Sequence, residues 1–223
     1  MVVSMHGTDR EPTDIYQRIS ELKVVPVIVV ESEDAALPLV DALSVGGLPI
    51  VEITFRTACA ALVIRRLKKE RPELLVGAGT VTSAELVNEA KACGADFAVA
   101  PGLNPIVVKA AQAAGLPLIP GVMTPTDVEA ALSLGSKVLK FFPAEAAGGL
   151  QMLRSLAAPY AHLGVRFVPT GGLNLNNVTH YLAEKTVLAI GGTWLAKRED
   201  IAAGHWDKIA SNCKILVELI ARH

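Results

Sequence analysis

Cysteine is scarce in this chain of 223 residues, with three in all. Cys59, Cys93 and Cys213 show no CxxC spacing, and each falls in a stretch that reads as helical. We therefore expect three reduced thiols in a cytoplasmic protein rather than a disulfide framework. An excess of one charge is equally missing. Lys and Arg total 21 against 22 for Asp and Glu, a net charge of −1, and both signs are scattered. With no basic stripe to follow a phosphate backbone, nucleic acid is not an expected partner. Long hydrophobic runs are absent too. Apolar residues make up 51% of the chain, yet runs such as VVPVIVV at 24–30 are far too short to span a bilayer. The opening MVVSMHGTDREP lacks the apolar core and cleavage site of a signal peptide. No membrane partner is expected.

What the chain has instead is an alternation. Apolar runs fall at 24–30, 49–55, 74–79, 97–100, 117–120, 137–142, 166–169 and 187–191, with helical patterns between them. Short, fully apolar runs suit parallel strands covered on both faces. Ser83 opens one helical pattern, and Pro105 and Gly115 bracket another. A mobile tail (1–12) and a short helix (13–22) are expected before the repeat, and a longer amphipathic helix after it. Eight strands alternating with helices allow an open doubly wound α/β sheet or a closed (β/α)8 barrel. Two features favour a single-domain barrel over residues 13–223. Eight units fit into about 200 residues, the compact end for that fold. Several strands also carry polar residues on one parity only: in PIVEITFR, Val51, Ile53 and Phe55 point one way, and Ile50, Glu52, Thr54 and Arg56 the other. The polar parity would face the barrel interior.

Catalytic groups in such barrels gather at the carboxyl ends of the strands. The stretch KVLKFFPAE (137–145) puts Lys140 in the middle of an otherwise apolar strand. A buried ammonium is costly unless it is paired or gives up its proton, and a neutral amine attacks carbonyls to form Schiff bases. Parity sends Lys140 inward with Val138 and Phe142, as it does Glu52, a candidate general acid/base. The alternative is a structural Lys–Glu ion pair. Two Gly-Gly turns, PTGG (Thr170, Gly171, Gly172) and IGGT (Gly191, Gly192, Thr193), follow the last two strands, where barrels often bind phosphate through backbone N–H groups. Arg56 suits a substrate carboxylate or a rim salt bridge. GAGT at 77–80 lacks the third glycine of a dinucleotide fingerprint and is set aside. No histidine falls at the carboxyl end of a strand, so no metal is expected.

In order along the chain, VVPVIVV, VEITFRT, VGAGTV, APGL, PLIPGV, LKFFPAE, VPTGG and IGGTWL resemble the 2-keto-3-deoxy-6-phosphogluconate (KDPG) aldolases, class I aldolases on a (β/α)8 barrel. The resemblance implies that Lys140 is the Schiff-base lysine and Glu52 the proton-transferring residue. It also implies that Arg56 and Thr80 hold the pyruvyl carboxylate and that Pro101 and Phe142 wall the pyruvyl pocket. Thr170, Gly171, Gly172, Gly191, Gly192 and Thr193 would line the way to the phosphate. Members cleave KDPG to pyruvate and glyceraldehyde 3-phosphate, and often 4-hydroxy-2-oxoglutarate (KHG) to pyruvate and glyoxylate. They are usually homotrimers and use no cofactor.

The chain departs from the family in Thr193, where serine is commoner, and Ala147, where asparagine is frequent. Rival readings are an aldolase for the 4-epimer, 2-keto-3-deoxy-6-phosphogalactonate, a phosphosugar isomerase or epimerase, and a non-catalytic phosphosugar-binding barrel. Thr170 favours the gluconate form, since the galactonate relatives lack it.

Overall fold

The computed structural model of the protein describes residues 12–222. Most of the expected tail lies outside the described residues, and the first helix runs Pro12–Leu22. Nine strands follow: β1 (Val24–Ile28), β2 (Ile50–Thr54), β3 (Leu75–Gly79), β4 (Phe97–Val99), β5 (Leu118–Ile119), β6 (Gly121–Val122), β7 (Val138–Phe141), β8 (Arg166–Pro169) and β9 (Ile190–Gly192). The fifth apolar run (117–120) thus yields only the two-residue β5, and a further short strand, β6, follows it across Pro120. Pro120 between them has no N–H to give to a ladder, although its carbonyl accepts from the Lys140 N–H at 2.8 Å.

Every named strand pair is parallel. The strands form two curled sheets, one ordered β5-β4-β3-β2-β1-β9 and the other β6-β7-β8. Isolated bridges pair Phe167 with Val187 and Thr170 with Gly191. Helices connect successive strands, as parallel pairing requires. Two of their starts are ones the sequence signals: Ser83 accepts from the Leu86 N–H, and Asn104 caps a helix that begins at Pro105. At a third, Thr124 with Asp127 makes a capping box.

β1, β2 and β3 are buried along their whole length, which explains their near-continuous apolar sequences. Their outer faces pack under the helices, where Val51, Ile53, Val63, Ile64 and Leu67 are fully covered. Leu153 is fully buried in that layer. It lies on the inner face of the helix Gly149–Ala157. The inner faces carry Glu52, Lys140 and Thr170, three of the few buried polar residues.

At the amino-terminal mouth, Asp96 accepts from Lys68 Nζ at 2.8 and 3.1 Å and from the Val76 N–H at 2.8 Å. The first helix sits at the same end, with the Arg18 guanidinium on the Glu73 carbonyl at 3.1 Å. Cys213 lies inside the last helix (Trp206–Ala221) and Cys93 at the end of another; both are buried. Cys59, contrary to expectation, precedes its helix and is partly exposed. All three are free thiols.

Candidate active site

The register fixes each candidate residue within its own sheet. Gly121, Lys140 and Val168 are in register across β6, β7 and β8. Glu52 pairs with Val27 on one side and Gly77 on the other. Both side chains point inward, as the parity of their strands requires. Lys140 is 6% exposed and Glu52 3%, and Lys140 Nζ lies 3.8 Å from Glu52 Oε1. That oxygen is buried without a hydrogen-bond partner. Lys140 Nζ also lies over the Phe142 ring, 5.2 Å from its centroid.

Glycines shape the space around this pair. A methyl group on Gly79 would collide with the Glu52 carboxylate, and one on Gly77 with the Phe97 ring. Gly77 and Gly79 share the inward parity of Glu52 and Thr54, their partners in register. The missing side chain at Gly79 thus gives Glu52 its place, and the one at Gly77 makes room for the Phe97 ring. The alternation in LVGAG carried that signal, which the sequence reading missed. On the far side, a methyl on Gly191 would strike Thr170 Oγ1.

Thr80 follows β3 with φ +61°, one of two non-glycine residues with positive φ among those described. A β-branched residue in that region is strained. Phe142 is half-buried and precedes the cis Phe142–Pro143 peptide. Thr170 is buried and donates to the Val168 carbonyl at 3.3 Å. Gly171 (φ +100°) and Gly172 (φ +81°) make a turn few other residues would adopt. Gly192 lies under the Trp194 ring, where a methyl would collide. Arg56, Pro101 and Thr193 are exposed in the loops beyond β2, β4 and β9. No hydrogen bond joins these three to Lys140 or Glu52 among the described residues.

His205 stands at the start of the last helix, with Nδ1 3.1 Å from Asp200 Oδ1. Lys208 Nζ reaches the same oxygen at 2.8 Å. Asp200 is buried, and hydrogen bonds from Lys208 and then His205 hold its carboxyl below the usual range. Also missed was Tyr181, whose hydroxyl donates to Glu145 beside the Gly171–Gly172 turn.

A buried lysine beside a carboxylate oxygen that accepts no hydrogen bond, under glycine turns at the strand ends, suits covalent capture of a small keto acid. Comparison with known proteins agrees. The family model described as KDPG and KHG aldolase matches residues 15–212. The chain belongs to the KDPG and KHG aldolase family. It is 45% identical to the 2-dehydro-3-deoxy-phosphogluconate aldolase of Haemophilus influenzae over 206 residues, 92% of this chain and 96% of that protein. The KHG/KDPG aldolase of Escherichia coli K12 is 45% identical over 195 residues, 87% of this chain and 91% of that one. Among solved structures, the KDPG aldolase of Legionella pneumophila superposes with TM-score 0.87 at 36% identity, covering 92% of this chain and 98% of its own. In that structure pyruvate was captured as a covalent carbinolamine intermediate.

Proposed function

We propose that the protein is a class I aldolase that cleaves KDPG to pyruvate and glyceraldehyde 3-phosphate, and KHG to pyruvate and glyoxylate. The observation that carries this reading is Lys140 Nζ, buried 3.8 Å from the unpartnered oxygen of Glu52 in a chain of this family. Lys140 attacks C2 of the keto acid, and loss of water from the carbinolamine gives an iminium. The iminium draws electrons from the C3–C4 bond. Glu52 takes the C4 hydroxyl proton as that bond breaks, directly or through water, and the aldehyde leaves. The remaining enamine takes a proton at C3, and hydrolysis frees pyruvate and the lysine.

Arg56 and Thr80 hold the pyruvyl carboxylate in this reading, and Pro101 and Phe142 wall the pocket. Thr170, Gly171, Gly172, Gly191, Gly192 and Thr193 receive the phosphate, supported by the free backbone N–H groups such turns expose. Thr170 favours the gluconate substrate over its 4-epimer.

The two sheets act as one closed (β/α)8 barrel, with β5 and β6 as a single stave. The bridges from Phe167 to Val187 and from Thr170 to Gly191 support closure. Residues 13–223 work as one catalytic domain, a homotrimer in the cytoplasm. Free thiols support that compartment. Ile106, 69% exposed in the first turn of the helix Pro105–Ala113, and Met123, 43% exposed on the loop after β6, supply apolar surface for a subunit contact. No helix among the described residues is long and apolar enough to cross a membrane.

The test is intact mass after incubation with pyruvate and borohydride, followed by peptide mapping. We expect one reduced pyruvyl adduct, on Lys140, absent from a folded Lys140→Ala variant. A folded wild-type protein without an adduct would sink the reading.

A further inference from the structure

The loop after β7 brings a carboxylate to the edge of the turn assigned to phosphate. The Glu145 N–H donates to the Gly171 carbonyl at 3.1 Å, and the Ala144 N–H to the Thr170 carbonyl at 2.8 Å. Glu145 Cβ and Cγ occupy the space that a side chain on Gly172 would need. The glutamate is exposed. A freely rotating carboxylate here would stand among the groups that receive the phosphate, and like charges at such range repel.

Tyr181 prevents this. It is 1% exposed, held in the short helix Val178–Leu182, and its hydroxyl donates to Glu145 Oε1. Burial, and then the bond to Glu145, push the phenol well above its ordinary pKa, so it remains a donor at any working pH. Gly149 keeps the contact clear: a methyl there would lie 3.3 Å from Glu145 Oε1 and 3.5 Å from the Tyr181 hydroxyl. The carboxylate is thus tied back toward the helix while its backbone braces the turn.

We infer that Tyr181 is a positioning residue that holds the Glu145 carboxylate off the phosphate turn, and thereby sets the preference for phosphorylated over unphosphorylated substrate. The inference rests on the phosphate reading above. A carboxylate released toward a bound phosphate acts on binding of the phosphorylated substrate alone. Chemistry at Lys140 and binding of KHG, which has no phosphate, stay as they were.

The experiment measures kcat and KM for KDPG and KHG, with inorganic phosphate as a competitive probe, in four proteins. For Tyr181→Phe we expect KM for KDPG and the phosphate inhibition constant to rise about five- to tenfold, the size of a screened like-charge contact. Its kcat, and both constants for KHG, should stay within about twofold. Glu145→Gln alone should leave KM for KDPG at or below the wild-type value, and Tyr181→Phe/Glu145→Gln should restore it. If Tyr181→Phe shifts both substrates equally, or the double variant fails to recover, Tyr181 only supports the fold and the inference is wrong. A rise in KM for Glu145→Gln alone would also overturn it. Absence of phosphate inhibition in the wild type would overturn the phosphate reading itself. Inhibition present in the wild type and unchanged in Tyr181→Phe would overturn this inference alone.

Discussion

Lys140 Nζ and Glu52 Oε1 stand 3.8 Å apart, just beyond direct hydrogen bonding, with both side chains almost out of contact with solvent. In the proposed reaction this spacing lets an oxygen on the carbon attacked by Lys140 come within reach of the carboxyl that would exchange its proton.

Glu52→Gln keeps the shape of the side chain and removes the proton carrier. We expect kcat for KDPG to fall by about two to four orders of magnitude, with an unchanged circular dichroism spectrum and residual borohydride trapping. Turnover at the wild-type rate would assign the proton transfers to another group.

Gly79→Ala introduces one methyl group where the Glu52 carboxylate lies. The carboxylate must swing aside, and misplacement of about 1 Å can cost on the order of a hundredfold in rate. We expect a fall of at least about tenfold in kcat/KM, with borohydride trapping at Lys140 largely retained. An unaffected rate would mean that Glu52 tolerates displacement.

Thr80→Gly removes a β-branched residue from a backbone at φ +61°. Relief of strain and the added freedom of the unfolded chain oppose each other, so stability should change by no more than about 1 kcal/mol either way. Affinity for pyruvate should weaken as the hydroxyl is lost. Denaturant titration and the pyruvate dependence of trapping report the two effects separately. Undiminished affinity would remove Thr80 from the carboxylate site.

Asp200 gives a pH dependence of defined sign. Lys208 foremost, then His205, hold its folded carboxyl below the ordinary value. The unfolded chain therefore takes up the proton first as the solution is acidified. The stabilisation is complete above about pH 5 and drains away as pH falls through about 4 toward the folded value. The thermal midpoint of Asp200→Asn should be lower at pH 7 and fall less steeply between pH 5 and pH 3. Parallel curves for the two proteins would show that Asp200 contributes no such term.

Alkylation should distinguish the thiols. Burial pushes Cys213 up to about 12 and raises Cys93, whereas Cys59 is partly exposed. Since the thiolate is the reactive form, native protein at pH 8 should take up one iodoacetamide, on Cys59, by mass mapping. Labelling of Cys213 at a similar rate would point to opening of the last helix.

Much of this could be read from residue order, because period and parity are local properties. Lys140 and Glu52 declared themselves as polar residues on the inner parity of apolar strands. The break at Pro120 needed the neighbouring strands, since a proline's missing donor matters only when a ladder asks for it. The place Gly79 makes for Glu52, and the tie from Tyr181 to Glu145, join residues 27 and 36 positions apart. Such contacts arise from curvature and packing, which no short window of sequence contains.

The Lys68–Asp96 lock sits at the mouth opposite the reacting groups, where Asp96 also grips the backbone of β3. Durability and chemistry therefore occupy separate floors of the molecule. An engineer can reinforce the lower floor with better ion pairs, a filled seam or a tighter first helix while Lys140 and Glu52 remain untouched. Conversely, loops on the upper floor can be exchanged for new aldehyde partners on a foundation that does not depend on them.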